Sequence, residues 1–342
     1  MQILEFVHKA LSPVLYGLGI YQWQWQRQSK DKACIAVLYY HRIVACQEVN
    51  KGLLADEVGI AADVFEKHMQ FMLKHFTPIK PSEIVDVLNK PGLYFTVTFD
   101  DGFEDNYSVA APILSKLGIS GGFYVVSDFV GTDKLFWWEQ LAYLLKNTEC
   151  KSLDASQLCT EWNDLEPLIL LNNEQKNHAQ RQLAKALRQT PAKLVPDIMQ
   201  ALSKQLEVEL ISTGRSHPLM NWKQLKELNN CGFDIGGHTA NHVNLGKTES
   251  SEHHHEIFDA TETLRSSLND PIITFAYPYG SVSHYTDDST QAVIDVGYHC
   301  AFTTTHGIVT RDSHRYRLPR FKLNKSWPFT CAYNVANAFN GK

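Results

Sequence analysis

Residues 95–107 read FTVTFDDGFEDNY. Phe95, Val97 and Phe99 alternate with Thr96 and Thr98, the period-two pattern of a strand, and Gly102 follows as a turn former. Asp100 and Asp101 therefore stand side by side where a strand ends. Successive side chains of a regular strand point to opposite faces, so two neighbouring aspartates would not share a task there. A bend from strand into loop removes that restriction and lets both carboxylates turn into one pocket. The competing reading is an Asp-Asp-Gly turn between a core strand and a helix, with both carboxylates solvated.

The composition of the 342 residues is that of an ordinary globular protein, large enough for one sizeable core or two modest ones. A formal net charge of -5 argues against the broad basic face that a nucleic-acid partner requires. The cysteines, at 34, 46, 150, 159, 231, 300 and 331, are odd in number and form no CxxC pair. They read as reduced thiols, hence a cytoplasmic protein, with the inner face of the membrane as a peripheral alternative.

Glu5, His8 and Lys9 interrupt the apolar N-terminus, which reads as neither a cleavable signal nor a membrane span. Ile3, Val7, Ala10, Leu11, Val14 and Leu18 recur at helical spacing, followed by Tyr21, Trp23, Trp25, Arg27 and Lys30. Residues 1–30 form an amphipathic helical segment that either docks on the protein's own core or lies in a membrane interface as a peripheral contact.

From residue 31 onward strands and helices alternate. ACIAVLYYHRI (33–43), YFTVTFDDG (94–102) and SGGFYVVSDFVG (120–131) read as strands. ADVFEKHMQFMLKHF (62–76), PSEIVDVLNK (81–90) and NYSVAAPILSKLG (106–118) read as helices. Alternation of this length implies parallel strands with helical crossovers. Between about 131 and 220 long polar helical stretches take over, a helical insertion opened by KLFWWEQLAYLL, whose paired tryptophans suit packing or an aromatic platform for a sugar. Afterwards NWKQLKELNNCG and HHHEIFDATETLRSSLN read as helices, and FDIGGHTANH, IITFAYPYG and HCAFTTTHGIV as strands or strand ends.

GFDIGGHTANHVNL (232–245) carries the second chemical signal. His238 and His242, four apart, would stand on one side of a helical turn and suit two ligands of one divalent ion. They follow a strand, which places them at the same sheet edge as the aspartate pair. Two neutral imidazoles and one carboxylate leave positions open on zinc, nickel or cobalt for water and a substrate oxygen. The second carboxylate is then free to act as general base. His253, His254 and His255 face three directions on a helix and read as a solvated face.

VTFDDG, GGHTANH and FAYPYG resemble, in order, the first three motifs of the polysaccharide deacetylase family (NodB-homology, carbohydrate esterase family 4), over roughly residues 33–130 and 220–325. The resemblance implies an α/β fold, a distorted (β/α) barrel of the polysaccharide deacetylase type with its site at the strand carboxyl ends, formed here by residues 31–342 with the helical insertion. It implies Asp100 as general base, and Asp101, His238 and His242 as ligands of one divalent ion, Zn2+ first with Ni2+ or Co2+ as alternatives. Tyr279 matches the position whose backbone N–H supports an oxyanion, with Pro278 beside it as an orienting or substrate-contacting residue.

Two departures stand out. Where many members carry an arginine that orients the catalytic aspartate, this chain has Ala276, which leaves Arg42 and Arg320 as the candidates to supply that charge from elsewhere. No hydrophobic strand ending in an acid histidine is evident near the C-terminus. LYYHRI (38–43) resembles instead the N-terminal Tyr-His segment of the circularly rearranged branch that includes poly-N-acetylglucosamine deacetylases, which makes His41 the general acid. The implied function is removal of an N-acetyl group from an amino sugar in a polysaccharide or glycan precursor. The alternatives are deformylation or deacetylation of a lipid-linked sugar, and a carbohydrate-binding pseudoenzyme.

Overall fold

The computed structural model of the chain describes residues 2–45, 59–156, 158–159, 162–214, 217–323 and 327–341. One parallel sheet organises them. Its strands are β1 (Ala33–Tyr40), β2 (Thr77–Pro78), β3 (Gly92–Phe99), β4 (Gly122–Val125), β5 (Asp234–Gly237), β6 (Thr274–Ala276) and β7 (Cys300–Phe302). They lie in the order β1-β3-β4-β5-β6-β7, with β2 on the N-terminal part of β3. β1 is apolar almost throughout because it is covered on both faces, as strands of parallel sheets are. It runs in register with β3 from Ala33 opposite Gly92 to Tyr40 opposite Phe99. His41 and Asp100 consequently leave the sheet at the same end, and the Asp100 N–H still donates to the Tyr40 carbonyl at 3.0 Å.

A short segment joins the two edges of this sheet. Leu318 exchanges backbone hydrogen bonds with Ala301 (2.8 Å) and Thr303 (2.9 Å) beside β7. Three residues later Phe321 donates to Val37 (3.0 Å) and accepts from Tyr39 (3.2 Å) on β1. The curled sheet with helices outside is thereby a distorted (β/α) barrel. Phe99 and Phe123 stack inside it at 5.0 Å, and Phe95, Phe275 and Phe321 are buried with them.

The crossovers follow the sequence periodicity with local exceptions. Helix α3 (Ala62–His75) buries Phe65, Met69 and Met72, one stripe of a 3.6-residue repeat. The stretch 81–90 yields only a 3₁₀ turn (Pro81–Glu83) and one α-turn (Ile84–Val87), since Pro91 disfavours helix at the residue before it. Helix α4 (Ala111–Leu117) is preceded by a π-turn at Asn106–Ala110. Residues 131–220 contribute α5 (Trp137–Asn147), α6 (Asn173–Gln189) and α7 (Val195–Gln205), with a small antiparallel pair of Ser152–Leu153 with Leu168–Ile169. These enclose a cluster of their own around Leu141, Leu145, Leu183 and Leu202. Helices α8 (Trp222–Asn230), α9 (Ala260–Leu268), α10 (Asp287–Asp295) and α11 (Pro328–Phe339) complete the outer layer.

At the N-terminus α1 (Gln2–Gly17) and α2 (Ile20–Gln28) form a bent pair lying on α11. Trp25 is fully buried, its ring 5.5 Å from Phe76 and 6.2 Å from Phe339. Truncating such a side chain to alanine costs about 3–5 kcal/mol, so this segment docks on the protein's own core. Its outer side still exposes Leu11, Val14, Leu18, Ile20 and Trp23. Among the described residues no helix is long and apolar enough to cross a membrane.

His75 sits under this pair, 5.6 Å from the Trp25 ring, with Nε2 3.3 Å from the Tyr16 hydroxyl. Burial, with a smaller contribution from Lys74, lowers its pKa from 6.5 to about 4. A histidine depressed in the folded state stabilises the fold fully above its unfolded pKa and loses that contribution as the pH falls. Stability should therefore decline between pH 6.5 and 4. His75→Phe is expected to flatten that slope in urea denaturation at pH 7 and pH 5; an unaltered slope would show that His75 is not its source.

Candidate metal and catalytic site

At the end of β3 the chain turns sharply. Asp101 takes a left-handed backbone, φ 73°, and both carboxylates are buried. The turn separates their environments. Asp100 meets Arg320 as a fork on a fork, Nη1 to Oδ1 and Nη2 to Oδ2, each 2.9 Å. Arg320 is fully buried and further held by Nε to the Thr303 carbonyl (2.9 Å) and Nη1 to Thr98 Oγ1 (3.0 Å), with its guanidinium 4.9 Å from the centre of the Tyr39 ring. Burial opposes ionisation of Asp100, but Arg320, assisted by His238 and His41, holds the carboxyl below its usual range.

Of the two arginines considered, Arg320 is the one that reaches Asp100. Arg42 turns instead to Asp105, Nε to Oδ2 at 2.8 Å, in an ion pair where burial nevertheless pushes Asp105 up to about 6. Ala276 is buried on β6 and offers its carbonyl to His238 Nδ1 at 2.6 Å.

Asp101, His238 and His242 come together on the other side of the turn, with one ligand-type atom from each lying within 4.8 Å of the rest. Nε2 of His238 is 3.4 Å and Nε2 of His242 3.2 Å from the same Asp101 oxygen, Oδ1. Since His238 Nδ1 carries the proton donated to Ala276, its Nε2 presents a lone pair toward that oxygen. Among the described residues Oδ1 itself, which is buried, has no hydrogen-bond partner. Lone pairs converging on an orphaned carboxylate oxygen are what a divalent cation relieves, and the N, N, O donor set suits zinc. The backbone carbonyl behind His238 is the kind of outer support that metal-bound imidazoles use.

The two histidines do not share a helical turn. Residues 238–242 are a loop leaving β5, and it brings the rings to 5.0 Å by placing Thr239 (φ 64°) and His242 (φ 56°) in the left-handed region. Buried Glu256 secures the loop. It accepts from the Ala240 N–H (3.1 Å), the Asn241 N–H (3.0 Å) and Asn241 Nδ2 (3.1 Å). Gly236 and Gly237 precede His238 because a Cβ at either would run into Tyr124 or Tyr298. Glu256 lies in a π-turn, His254–Asp259, directly after His253. His254 and His255 are exposed, but His253 is buried, so the three histidines are not one solvated face.

Tyr279 is also left-handed, φ 60°, and among the described residues its backbone N–H donates to no protein acceptor. Its ring stands edge-on to His242 at 4.7 Å. Pro278 is buried just before it and its carbonyl accepts from the Gly280 N–H at 2.6 Å. His41 follows β1 beside Asp100, its ring 6.0 Å from that of Tyr39. It acts electrostatically on both aspartates. Among the described residues its buried Nδ1 has no hydrogen-bond partner, so no side chain fixes the tautomer through that atom.

The start of α5 supplies part of the site wall. Phe136 stacks on Trp138 at 4.3 Å, and the rings of Phe136 and Trp138 lie 5.6 and 4.8 Å from His242. Trp137 Nε1 donates to the Tyr279 hydroxyl at 2.9 Å. The FWW cluster was the signal for this wall, though nothing in its spacing says which loop it meets. For Glu256 the sequence carries no comparable signal.

Known proteins offer four points of comparison. A family model described as polysaccharide deacetylase matches residues 189–301, a stretch that includes His238, His242 and Tyr279. YxkH of Bacillus subtilis (strain 168), provisionally assigned as a polysaccharide deacetylase, is 19% identical over 305 residues, covering 88% of this chain and 75% of that protein. Among solved structures, Streptococcus pyogenes deacetylase PplD in complex with acetate is 20% identical with a TM-score of 0.56, over 90% of this chain and 98% of that one. BC0361, a polysaccharide deacetylase from Bacillus cereus, is 18% identical with a TM-score of 0.55, over 88% of this chain and 69% of that one. At these identities the structural likeness is one of fold.

Removing Arg320 leaves a buried carboxylate without its counter-charge, a change that costs about 3–5 kcal/mol when one partner of a buried pair is lost. Arg320→Met should lower the urea midpoint by a corresponding amount, and adding Asp100→Asn should restore part of it. If the double variant is no more stable than Arg320→Met alone, the two side chains do not depend on each other.

Proposed function

We propose that the chain, which a polysaccharide deacetylase family model matches over residues 189–301, is a divalent-metal-dependent hydrolase removing N-acetyl groups from an amino sugar of a polysaccharide or glycan precursor. The observation that carries the reading is the division of the aspartate pair, with Asp100 on Arg320 and Asp101 on the two histidines.

Asp101, His238 and His242 would hold the ion, zinc by donor type with nickel or cobalt as alternatives, and when bound it supplies Lewis acidity toward water and the acyl oxygen. Asp100, kept ionised and fixed in orientation by Arg320, is the base that takes a proton from the attacking water. The Tyr279 N–H is the donor aimed at the oxygen that gains charge as the carbonyl carbon becomes tetrahedral. His41 gives a proton to the amine nitrogen as the C–N bond breaks, so that acetate and a free amino sugar leave. The buried aromatic wall of Phe136 and Trp138 limits water around these groups.

A second reading concerns the substrate's carrier. Leu11, Val14, Leu18, Ile20 and Trp23 form an exposed apolar side of the N-terminal pair, and the Arg27 guanidinium lies 5.3 Å from the Trp23 ring. An apolar strip edged by a cation suits the interface of an anionic membrane, and it favours a lipid-linked sugar presented at that surface.

Mass spectrometry of free oligosaccharides, nucleotide sugars and lipid-linked sugars in vesicles tests both readings. A loss of about 42 mass units per residue identifies deacetylation and about 28 deformylation, and the preferred panel member identifies the carrier. Asp100→Asn should retain metal while turnover falls by on the order of 10² to 10⁴. Turnover close to that of the unaltered chain would place the base elsewhere.

A further inference from the structure

We infer that Trp137, the first residue of the inserted helix α5, is a positioning residue for the oxyanion side of the site and acts through the phenol of Tyr279. This rests on the deacetylase reading above. The Tyr279 side chain is held between α5 and the histidine loop, which also meet through the Phe136 and Trp138 rings against His242. Its hydroxyl accepts from Trp137 Nε1 at 2.9 Å and points its own proton toward the His242 carbonyl at 3.4 Å. One phenol thus links the insertion to the loop that carries a ligand-type histidine.

The backbone of Tyr279 is held from the opposite side. Its carbonyl accepts from Thr304 Oγ1 at 2.8 Å, and the Gly280 carbonyl accepts from the Thr304 N–H at 2.9 Å. That contact is close enough that a Cβ on Gly280 would fall 2.7 Å from the Thr304 nitrogen. Tyr279 keeps a left-handed backbone between these two clamps. Such a conformation in a non-glycine residue is strained and persists only where the surroundings over-determine it. Releasing the phenol would let the peptide relax and carry its N–H away from the position required of an oxyanion donor.

Trp137 can do this because its own position is fixed. Glu139 caps the start of α5 by accepting from the Phe136 N–H at 2.8 Å, and the Trp137 ring stands perpendicular to Trp138 at 5.4 Å. A packing role alone would be served by any aromatic ring. The indole N–H is used by the bond to Tyr279.

The test uses Trp137→Phe, which keeps an aromatic ring and removes the donor. Loss of an oxyanion donor costs about 10²–10³ in kcat, and a displaced donor should cost about tenfold or more on that scale. The expected result is a fall in kcat of that size on both an N-acetylated sugar and an activated acetate ester, with KM and metal content unchanged. Tyr279→Phe should show a similar loss, and the double variant should be no slower than the slower single variant. Independently of activity, the Trp137 indole N–H resonance, identified by its absence in Trp137→Phe, should shift in Tyr279→Phe. Unchanged kcat, a loss confined to KM, additive losses, or an unmoved indole resonance would each overturn the inference. An unaltered chain inert toward every acetylated substrate would overturn the deacetylase reading and the inference with it, whereas an active chain indifferent to Trp137→Phe would overturn the inference alone.

Discussion

A carboxylate cannot stay charged inside a protein without a counter-charge, and Asp100 is buried at the end of a central strand. Its counter-charge comes from Arg320, 220 residues further along the chain. Arg320 lies on the segment Leu318–Phe321 that joins β7 to β1. Closing the barrel and ionising the candidate base are therefore one event, because the bonds that seat this segment also deliver the guanidinium. Breaking either half exposes the other to the full cost of an unpaired buried charge, which makes the pair a condition for the rest of the structure rather than an addition to it.

The same economy governs the loops above the sheet. Asp101, Thr239, His242 and Tyr279, four of the seven non-glycine residues with positive φ among the described residues, all belong to the candidate site. Each conformation is unfavourable in isolation, and the histidine loop and Tyr279 have visible neighbours that hold them. Glu256 ties down the histidine loop through two backbone amides, Ala276 orients His238, and Thr304 and Trp137 clamp Tyr279. Strain is thus concentrated where side chains must converge, and it is sustained by residues that need not touch a substrate.

Much of this was legible in the amino-acid sequence, and the remainder was hidden for physical reasons. Alternation in FTVTF marks β3 and puts Asp100 and Asp101 at its end, because successive side chains of a strand point to opposite faces, although both faces of this strand are buried. The contact between Arg320 and Asp100 leaves none, since it spans most of the chain and its segment pairs through single bridges too short to show a pattern. HTANH misleads on geometry: four-residue spacing suggests a helical turn, while two left-handed residues achieve the same convergence in a loop. His253 is buried where a 3₁₀ turn (Ser250–Glu252) meets the π-turn His254–Asp259, while His254 and His255 are exposed, a division that three consecutive histidines do not reveal. Nothing local marks where α10 and α11 pack or what the paired tryptophans meet. Packing between remote elements, not local propensity, decides where those surfaces go.

The central claim is that adjacent aspartates are divided between two partners, one held by an arginine and one turned to a metal. Crystals of the chain grown with zinc, with data collected on both sides of the zinc absorption edge, test this directly. The account predicts a single anomalous peak bounded by Asp101, His238 and His242, with Asp100 still forked on Arg320. A peak elsewhere, or Asp100 drawn off Arg320 to become a ligand, would contradict it.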